Sequence, residues 1–338
     1  MLKKISLSLV AVSTISFAGN LLNDAKSNGL EAIPTSQLEL LKLIENRDNR
    51  LTDGKIELGK MLYFDTRLSK SNLISCNTCH NLSMGGDDGV SAAIGHKWTA
   101  NPHHLNSPTV YNAVFAQKQF WDGRSPDLED QATGPIQAGP EMAMLPKDAE
   151  KNISSIPEYV TLFNKVFPNE KITLKNIGKA IGAFERTLVT SSKYDDFLNG
   201  DQSALNSKEK QGLRTFIDKG CVSCHNGIAL GGSMQPFPLM DTYKYANLGD
   251  FKGNKKGMVK TPTLRNITET EPYFHNGGTF SLKEAIEIMG KTQLRINLTK
   301  DEISNIEIFL KSLEGKKPNI SLPILPKSTK ETILPNSQ

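Results

Sequence analysis

The sequence is poor in cysteine and tryptophan, and it lacks long apolar runs and blocks of like charge. Only four cysteines and two tryptophans occur among 338 residues, and the formal net charge is +4. A mild charge without basic clusters gives no indication of a nucleic-acid partner or an anionic membrane surface. No apolar run approaches the ~20 residues that a membrane-spanning helix needs, so we expect no membrane span in the mature protein.

The first 18 residues have the pattern of a secretory signal peptide. Lys3 and Lys4 precede a short apolar stretch at 5–15, and the small residues at 16–18 predict cleavage after Ala18. An N-terminal membrane anchor is the alternative, but the apolar stretch is too short to span a bilayer. There is no twin arginine, so we expect export by the general secretory route and a periplasmic location.

All four cysteines lie in two CxxCH motifs, at 76–80 and 221–225. This spacing is typical of covalent c-type haem attachment. Each thiol bonds one vinyl group of the same porphyrin edge, and the adjacent histidine ligates the iron. The sequence therefore predicts two covalently bound haem c groups, held by Cys76, Cys79, Cys221 and Cys224, with proximal iron ligands His80 and His225.

Two other structures can be built from paired cysteines, namely a zinc site and a pair of disulfides. Zinc ribbons usually place their CxxC pairs at short separation, whereas these two motifs lie in different halves of the chain. Neither alternative explains why a histidine follows both pairs. Haem attachment is the interpretation that accounts for all six residues.

Apolar periodicity predicts a mainly α fold with two tandem cytochrome-c-like domains, each carrying one covalently bound c-type haem. Helices are predicted at 38–44, 56–63, 174–188 and 208–219. Capping-box patterns open two more, at 281–284 and 299–302. We expect the first of these to end near Met289, with Gly290 as its C-cap.

The remaining segments suggest how the chain is divided. Residues 191–201 are polar and are predicted to link the domains, and residues 231–257 are Gly-rich and predicted to be mostly loop. The prediction is an N-terminal haem domain at 19–190, a C-terminal haem domain at 191–315 and a Pro-containing tail at 316–338.

Several motifs, in order, give the chain a recognisable family resemblance. Between and after the CxxCH motifs stand FWDGR at 120–124, GPIQAG at 134–139 and PYFHNG at 272–277. Together they resemble the bacterial di-haem cytochrome c peroxidases over roughly residues 35–315. Such enzymes reduce hydrogen peroxide to water with electrons from a small periplasmic cytochrome c or a copper protein. The resemblance implies a low-potential peroxidatic haem in the N-terminal domain and a high-potential haem, where electrons enter, in the C-terminal domain.

The resemblance also assigns the second iron ligand of each haem. Met289 matches the family methionine that completes the His225 haem, and a His/Met haem has a raised potential. His96 matches the distal ligand of the His80 haem in the oxidised enzyme. Taken alone, Met289 would be a core residue and His96 a surface loop residue, as we expect for His103 and His104.

Peroxide reduction requires His96 to leave its place, because a haem with two protein ligands has no free position. The glycines of the Gly85–Gly95 loop favour such a rearrangement once the C-terminal haem is reduced. Some family members stay open when fully oxidised, and the sequence is compatible with either behaviour.

Three further residues are assigned catalytic roles by the resemblance alone. Glu141 occupies the position of the glutamate that shuttles a proton during peroxide cleavage. Gln131 matches the amide that orients peroxide, and Trp121 matches the tryptophan between the haems. Without the resemblance, the first two would be unremarkable loop residues and Trp121 a core residue.

The family also binds one calcium ion between its domains. The matching ligands are the side-chain oxygen of Asn106 and the carbonyls of Thr270 and Pro272, and oxygen ligands suit a hard cation. A homodimer is expected on the same grounds.

Two other functions compete with the peroxidase. A di-haem electron carrier would need two closed haems and would have no use for Glu141 and Gln131. A tryptophan-modifying oxidase of the methylamine-utilisation type shares the scaffold but has tyrosine where this chain has Met289.

Overall fold

The computed structural model describes residues 21–237 and 243–336, so the signal peptide predicted at 1–18 lies outside the described residues. The chain is mainly helical, as expected, with a single pair of short strands in the described part. Within these ranges, no helix has the length and apolar character required to cross a bilayer.

The first half of the chain folds around one apolar core. Its elements are α1 (Gln37–Ile44), α2 (Asp53–Phe64), α3 (Cys76–Cys79), α4 (Leu128–Gln131), α5 (Thr133–Gln137), α6 (Pro146–Ser154), α7 (Pro157–Val166) and α8 (Leu174–Glu185). Helices α2 and α8 approach very closely, because a Cβ on Gly59 would lie 1.9 Å from the carbonyl oxygen of Ala180. The predicted helices at 56–63 and 174–188 are therefore the central pair of this core.

The second half folds around a separate core. It contains α9 (Lys193–Leu198), α10 (Ser207–Asp218), α11 (Leu282–Leu294) and α12 (Lys300–Lys311). Helices α10 and α12 pack face to face, with Gly212 against the backbone of Asn305. The capping box predicted at Thr299 is present, since its hydroxyl accepts from the amide of Glu302 and the Glu302 carboxylate accepts from the amide of Thr299.

The two ends of the chain cross over to the opposite core. Leu21, Ala25 and Leu30 pack into the core built from residues 194–313. The tail returns to the first half, where Arg67 donates to the carbonyl of Pro326 at 2.9 Å. The domain division at 190/191 stays a prediction, and the described contacts show that each core includes a segment from the far end of the chain.

Two local predictions were wrong. The segment expected to be a polar link contains α9, and its Tyr194 and Phe197 are fully buried in the second core. The helix expected to end near Met289 continues through Gly290 to Leu294, because the backbone there packs under the side chain of Leu298. At α9 long-range packing overrides the local sequence signal, whereas at Gly290 the neighbouring residue is only eight positions away.

The Gly-rich region contains one element that the sequence did not predict. Strand β1 (Met234–Pro236) pairs antiparallel with β2 (Met258–Lys260). The last residue of β2 is held in place because the amide of Lys260 donates to the carbonyl of Trp121 at 2.8 Å. This ribbon brings the C-terminal half against the aromatic segment at 120–124.

Candidate functional sites for haem and calcium

The first CxxCH motif forms a single helical turn with its histidine at the end. Helix α3 starts after Ser75 and ends at Cys79, so that His80 follows as its C-cap. Nδ1 of His80 lies 3.0 Å from the carbonyl oxygen of Pro108, and since a carbonyl can only accept, this nitrogen carries the proton. The arrangement leaves Nε2 of His80 free to bind a metal. Metal-binding histidines usually donate their other ring N–H to a carbonyl or carboxylate in this way.

The second motif has the same construction. A short 3₁₀ turn at Cys221–Ser223 leads to His225, whose Nδ1 lies 3.1 Å from the carbonyl oxygen of Leu230. Burial lowers the pKa of both His80 and His225, so each ring is held neutral, the form that ligates a metal. None of the four cysteines forms a disulfide, so the thiols are free for thioether bonds.

His96 is buried although the sequence alone suggested a surface loop residue. Its side chain is only 3% exposed, and its Nδ1 has no hydrogen-bond partner in the described part of the chain. Such an unpaired buried nitrogen is uncommon in proteins and indicates a missing partner. The described residues thus leave the His96 ring without a hydrogen bond through Nδ1, and a buried histidine of this kind is compatible with the iron-ligand role that the resemblance assigns to it.

Glu141 lies directly beside His96. The amide of His96 donates to the carbonyl oxygen of Glu141 at 2.7 Å, and Gly95 packs against the same turn. Burial raises the pKa of the Glu141 carboxyl, with the charge of Arg124 opposing the rise. His96, which has to leave its place, and Glu141, the candidate proton carrier, are therefore neighbours joined through their backbones.

Within the described ranges, Gln131 and Arg124 have no hydrogen bond to His96 or Glu141, and their links to these two residues are indirect. Gln131 is half-buried at the end of α4, and no hydrogen bond is recorded between its side chain and Glu141 or His96. Arg124 stacks on the ring of Phe120 at 3.4 Å. The sequence reasoning did not single out Arg124, although it lies in the FWDGR motif.

A cavity of about 280 Å³ opens beside the second CxxCH motif. Cys221, Cys224, His225 and Met289 line it, so Met289 stands in the same cavity as the proximal histidine. Most of the remaining wall is apolar, as a porphyrin requires. These residues fit a covalently held haem with a His/Met ligand set.

Asn106 joins Trp121 to the segment that contains His275. Its carbonyl oxygen accepts the indole N–H of Trp121 at 3.0 Å, and its amide donates to the carbonyl of His275 at 2.9 Å. Trp121 is 9% exposed and packs edge-on against the ring of His275. The tryptophan is therefore held rigidly on the wall of the cavity.

The three predicted calcium ligands line this cavity together. Asn106, Thr270 and Pro272 all contribute to its wall. The side-chain amide of Asn106 donates to the carbonyl of Val90 at 2.9 Å, which leaves its side-chain oxygen as the atom available to a cation. Their convergence is compatible with a calcium site, which remains a prediction.

The Gly85–Gly95 loop contacts the C-terminal half at two points. A Cβ on Gly85 would lie 2.1 Å from the carbonyl oxygen of Glu269, and a Cβ on Gly277 would lie 2.5 Å from the Cα of Ser91. The segment that carries His96 is therefore packed against the region of the second CxxCH motif. His103, farther along, is exposed and pairs with Asp250 at 3.0 Å.

Comparison with known proteins identifies the family. A family model described as di-haem cytochrome c peroxidase matches residues 53–203. A cytochrome c551 peroxidase from Nitrosomonas europaea is 50% identical over 290 residues, covering 83% of this chain and 86% of the relative. The chain belongs to the di-haem cytochrome c peroxidase family. A cytochrome c551 peroxidase from Pseudomonas aeruginosa is 43% identical over 340 residues, covering 97% of this chain and 96% of that protein.

The solved structures agree in fold. A MauG-like protein associated with microbial copper homeostasis superposes with a TM-score of 0.70 at 26% identity, covering 80% of this chain and 92% of that one. The family assignment confirms the resemblance and the enzyme class expected from the sequence, and it implies two haem c groups. The roles of individual residues remain predictions.

Proposed function

We propose that this protein is a periplasmic peroxidase that reduces hydrogen peroxide to water with electrons from a small cytochrome c or a copper protein. When bound, the two haems supply the redox centres for this reaction. His225 and Met289 hold the centre at which electrons enter, and Trp121 lies on the path toward the His80 centre. The supporting observations are the shared cavity of His225 and Met289 and the fixed indole of Trp121.

Glu141 moves the proton in this scheme. Reduction of peroxide consumes two electrons and two protons, and one proton has to pass from one peroxide oxygen to the other before the O–O bond breaks. Burial raises the pKa of the Glu141 carboxyl, so it holds a proton more readily than an exposed carboxyl and can pass it between the two oxygens. Gln131 orients the peroxide through its side-chain amide.

His96 controls access to the reacting site. The single observation that carries the proposal is that His96, buried with no partner for Nδ1 among the described residues, is bonded through its backbone to Glu141, a residue that an electron carrier would not need. The loop that precedes His96 touches the C-terminal half near Glu269 and Gly277, and these contacts would couple the position of His96 to the state of a haem held by His225 and Met289.

Asn106, Thr270 and Pro272 hold one calcium ion between the two halves. The ion keeps the Gly85–Gly95 loop and the Trp121 segment in register, because Asn106 is bonded to Val90 of the loop and to Trp121. The protein acts as a homodimer, as expected for the family.

The test is peroxide consumption by protein that has been reduced with ascorbate and supplied with reduced cytochrome c. Peroxide-dependent oxidation of the donor, with high-spin haem in the half-reduced protein, is the expected result. Fast electron exchange with the donor but no peroxide consumption would contradict the proposal and identify a carrier.

A further inference from the structure

Lys260 is a buried lysine without a partner. Its side chain is 8% exposed at the end of β2, where the backbone is fixed by the hydrogen bond to Trp121. The described residues provide neither a hydrogen bond nor an ion pair to its ammonium group. Buried charges in proteins are normally paired, because an unpaired one loses its hydration without compensation.

Among the described residues, no acidic group stabilises the charge of Lys260. Asp87 is the one acidic side chain among the described residues that line the same cavity. Its pKa is raised by burial to about 7, and the charges that act on it are those of Asp88, Glu271 and Lys317 rather than Lys260. Because no described carboxylate pairs with Lys260, the occupant of the cavity is the candidate source of its anion.

The cavity that Lys260 lines is the one that contains Cys221, Cys224, His225 and Met289. A haem held by these residues carries two propionate carboxylates on its edge. We propose that Nζ of Lys260 binds a propionate of the C-terminal haem and is a positioning residue that sets the potential of this haem. The inference rests on the proposed haem attachment and extends it to a residue with no assigned role.

One further observation agrees with this assignment, and a second shows that Lys260 also lies near His80. Burial without an anion lowers the pKa of Lys260 to about 8, so a carboxylate partner would restore the fully charged ammonium. The positive charge of Lys260 is also felt at His80, where it adds to the effect of burial on the imidazole pKa. Lys260 therefore lies between the two haem sites, next to Trp121.

Removal of the ammonium would leave an unpaired negative charge on the haem edge. A nearby negative charge favours the oxidised haem, so the midpoint potential of the C-terminal haem should fall. The fall should be largest at alkaline pH, where the propionate is fully ionised, and smaller at acid pH, where it binds a proton.

The experiment compares Lys260→Met and Lys260→Arg in the holoenzyme by spectroelectrochemical titration of both haems. Lys255→Met is the matched control, because it removes the same charge from an exposed position of the same segment. We expect a lower, more pH-dependent potential for the C-terminal haem in Lys260→Met, a near wild-type value in Lys260→Arg and no change in Lys255→Met. Lys260→Gln replaces Lys260→Met if that variant does not retain both haems.

Unchanged potentials in Lys260→Met, or a shift confined to the His80 haem, would overturn the assignment. The unaltered holoenzyme offers a second test by redox-difference infrared spectroscopy with isotope-labelled propionates. An ionised propionate that responds to oxidation of the C-terminal haem supports the pair, and a protonated one contradicts it. Neither measurement requires turnover, so a failure of peroxide reduction is distinguishable from a failure of this inference.

Discussion

A backbone hydrogen bond joins Glu141, the candidate proton carrier, to His96, the residue proposed to close the first haem site. The amide of His96 donates to the carbonyl of Glu141. This contact uses only the backbone of Glu141, so its carboxyl can be changed without removing the contact. A substitution of Glu141 can therefore test proton transfer without disturbing the position of His96.

We predict that Glu141→Gln retains both haems and the closed His96 position but loses turnover by about 10²- to 10⁴-fold, the usual contribution of a positioned acid–base group. Steady-state peroxide consumption measures the loss, and haem content and optical spectra check the structure. Glu158→Gln, at an exposed position, is the control. Near-normal turnover in Glu141→Gln would remove this residue from the mechanism.

Glu185 on α8 predicts a pH dependence of stability. Burial and the charge of Glu129 raise its pKa to about 8, and one of its carboxylate oxygens has no partner in the described part of the chain. In the unfolded chain the pKa of a glutamate is about 4.3, so the unfolded state loses its proton first as the pH rises. The folded state is therefore progressively destabilised between about pH 4 and pH 8.

We expect Glu185→Gln to remove this contribution. The melting temperature of the holoenzyme should fall less steeply across that interval in the variant than in the wild type, and the variant should be the more stable protein at alkaline pH. Thermal unfolding at several pH values measures the slope. Parallel curves for the two proteins would show that Glu185 stays ionised when folded.

At the scale of elements, the loop that carries His96 depends on one glycine. A Cβ at Gly95 would lie 1.9 Å from the carbonyl oxygen of Pro140, which belongs to the backbone and cannot simply rotate away. The loop can rest on the Glu141 turn only while this position has no side chain.

We predict that Gly95→Ala pushes the loop off this turn and opens the first haem site without prior reduction. The fully oxidised variant should show high-spin haem and should bind peroxide directly, as followed by optical spectroscopy. Gly139→Ala is a suitable control, because a Cβ at that exposed position meets nothing within 4 Å. A low-spin spectrum in Gly95→Ala, identical to the wild type, would argue against a lid at His96.

The helices with regular apolar spacing could be predicted from the sequence, since α8, α10 and α12 bury the faces that the periodicity indicates. Helix α9 could not be predicted, because its lysine and two aspartates make the segment look polar although Tyr194 and Phe197 are buried. Asp195 itself is buried, paired with Arg265 at 2.8 Å across the second core. Long-range pairs of this kind leave no local signal.

The candidate sites also contain residues that the sequence identifies and contacts that it does not indicate. The CxxCH motifs identify His80 and His225 from the sequence, because the chemistry of attachment fixes the spacing. The carbonyls of Pro108 and Leu230 that orient these rings are backbone atoms, and no residue type is needed to supply them. Lys260 was missed because burial of a lysine at a strand end is decided by residues distant in sequence.

At the scale of the whole molecule, the proposed calcium site lies where the two halves meet. We predict that chelation of calcium lowers the fraction of high-spin haem formed on half-reduction and lowers turnover with it. Optical spectra and peroxide assays before and after chelation measure the effect, and restored activity on addition of calcium is the control. Full activation in calcium-free protein would contradict the proposed role of Asn106, Thr270 and Pro272.

The C-terminal tail binds to the surface of the first half of the molecule. Besides the bond from Arg67 to Pro326, the amide of Ile333 donates to the side chain of Asn152 at 2.8 Å, and Thr329 donates to the carbonyl of Ser155. The tail is mostly extended and several of its apolar side chains are exposed, so backbone contacts dominate its attachment.

We predict that a chain ending at Lys317 keeps the second core intact and loosens the first. Hydrogen exchange should accelerate around residues 65–75 and 150–156, while α10 and α12 stay protected. Equal acceleration in both cores, or in neither, would contradict the prediction.

The crossing of the two chain ends also has a consequence for the order of assembly. Leu21, Ala25 and Leu30 are synthesised early, yet the rest of the second core into which they pack begins only at Tyr194. Contacts between residues so distant in sequence form slowly, because a long loop must close first. The segment at 21–30 therefore cannot join its core until more than half of the chain has been made, and the second core is completed by residues from the beginning of the sequence.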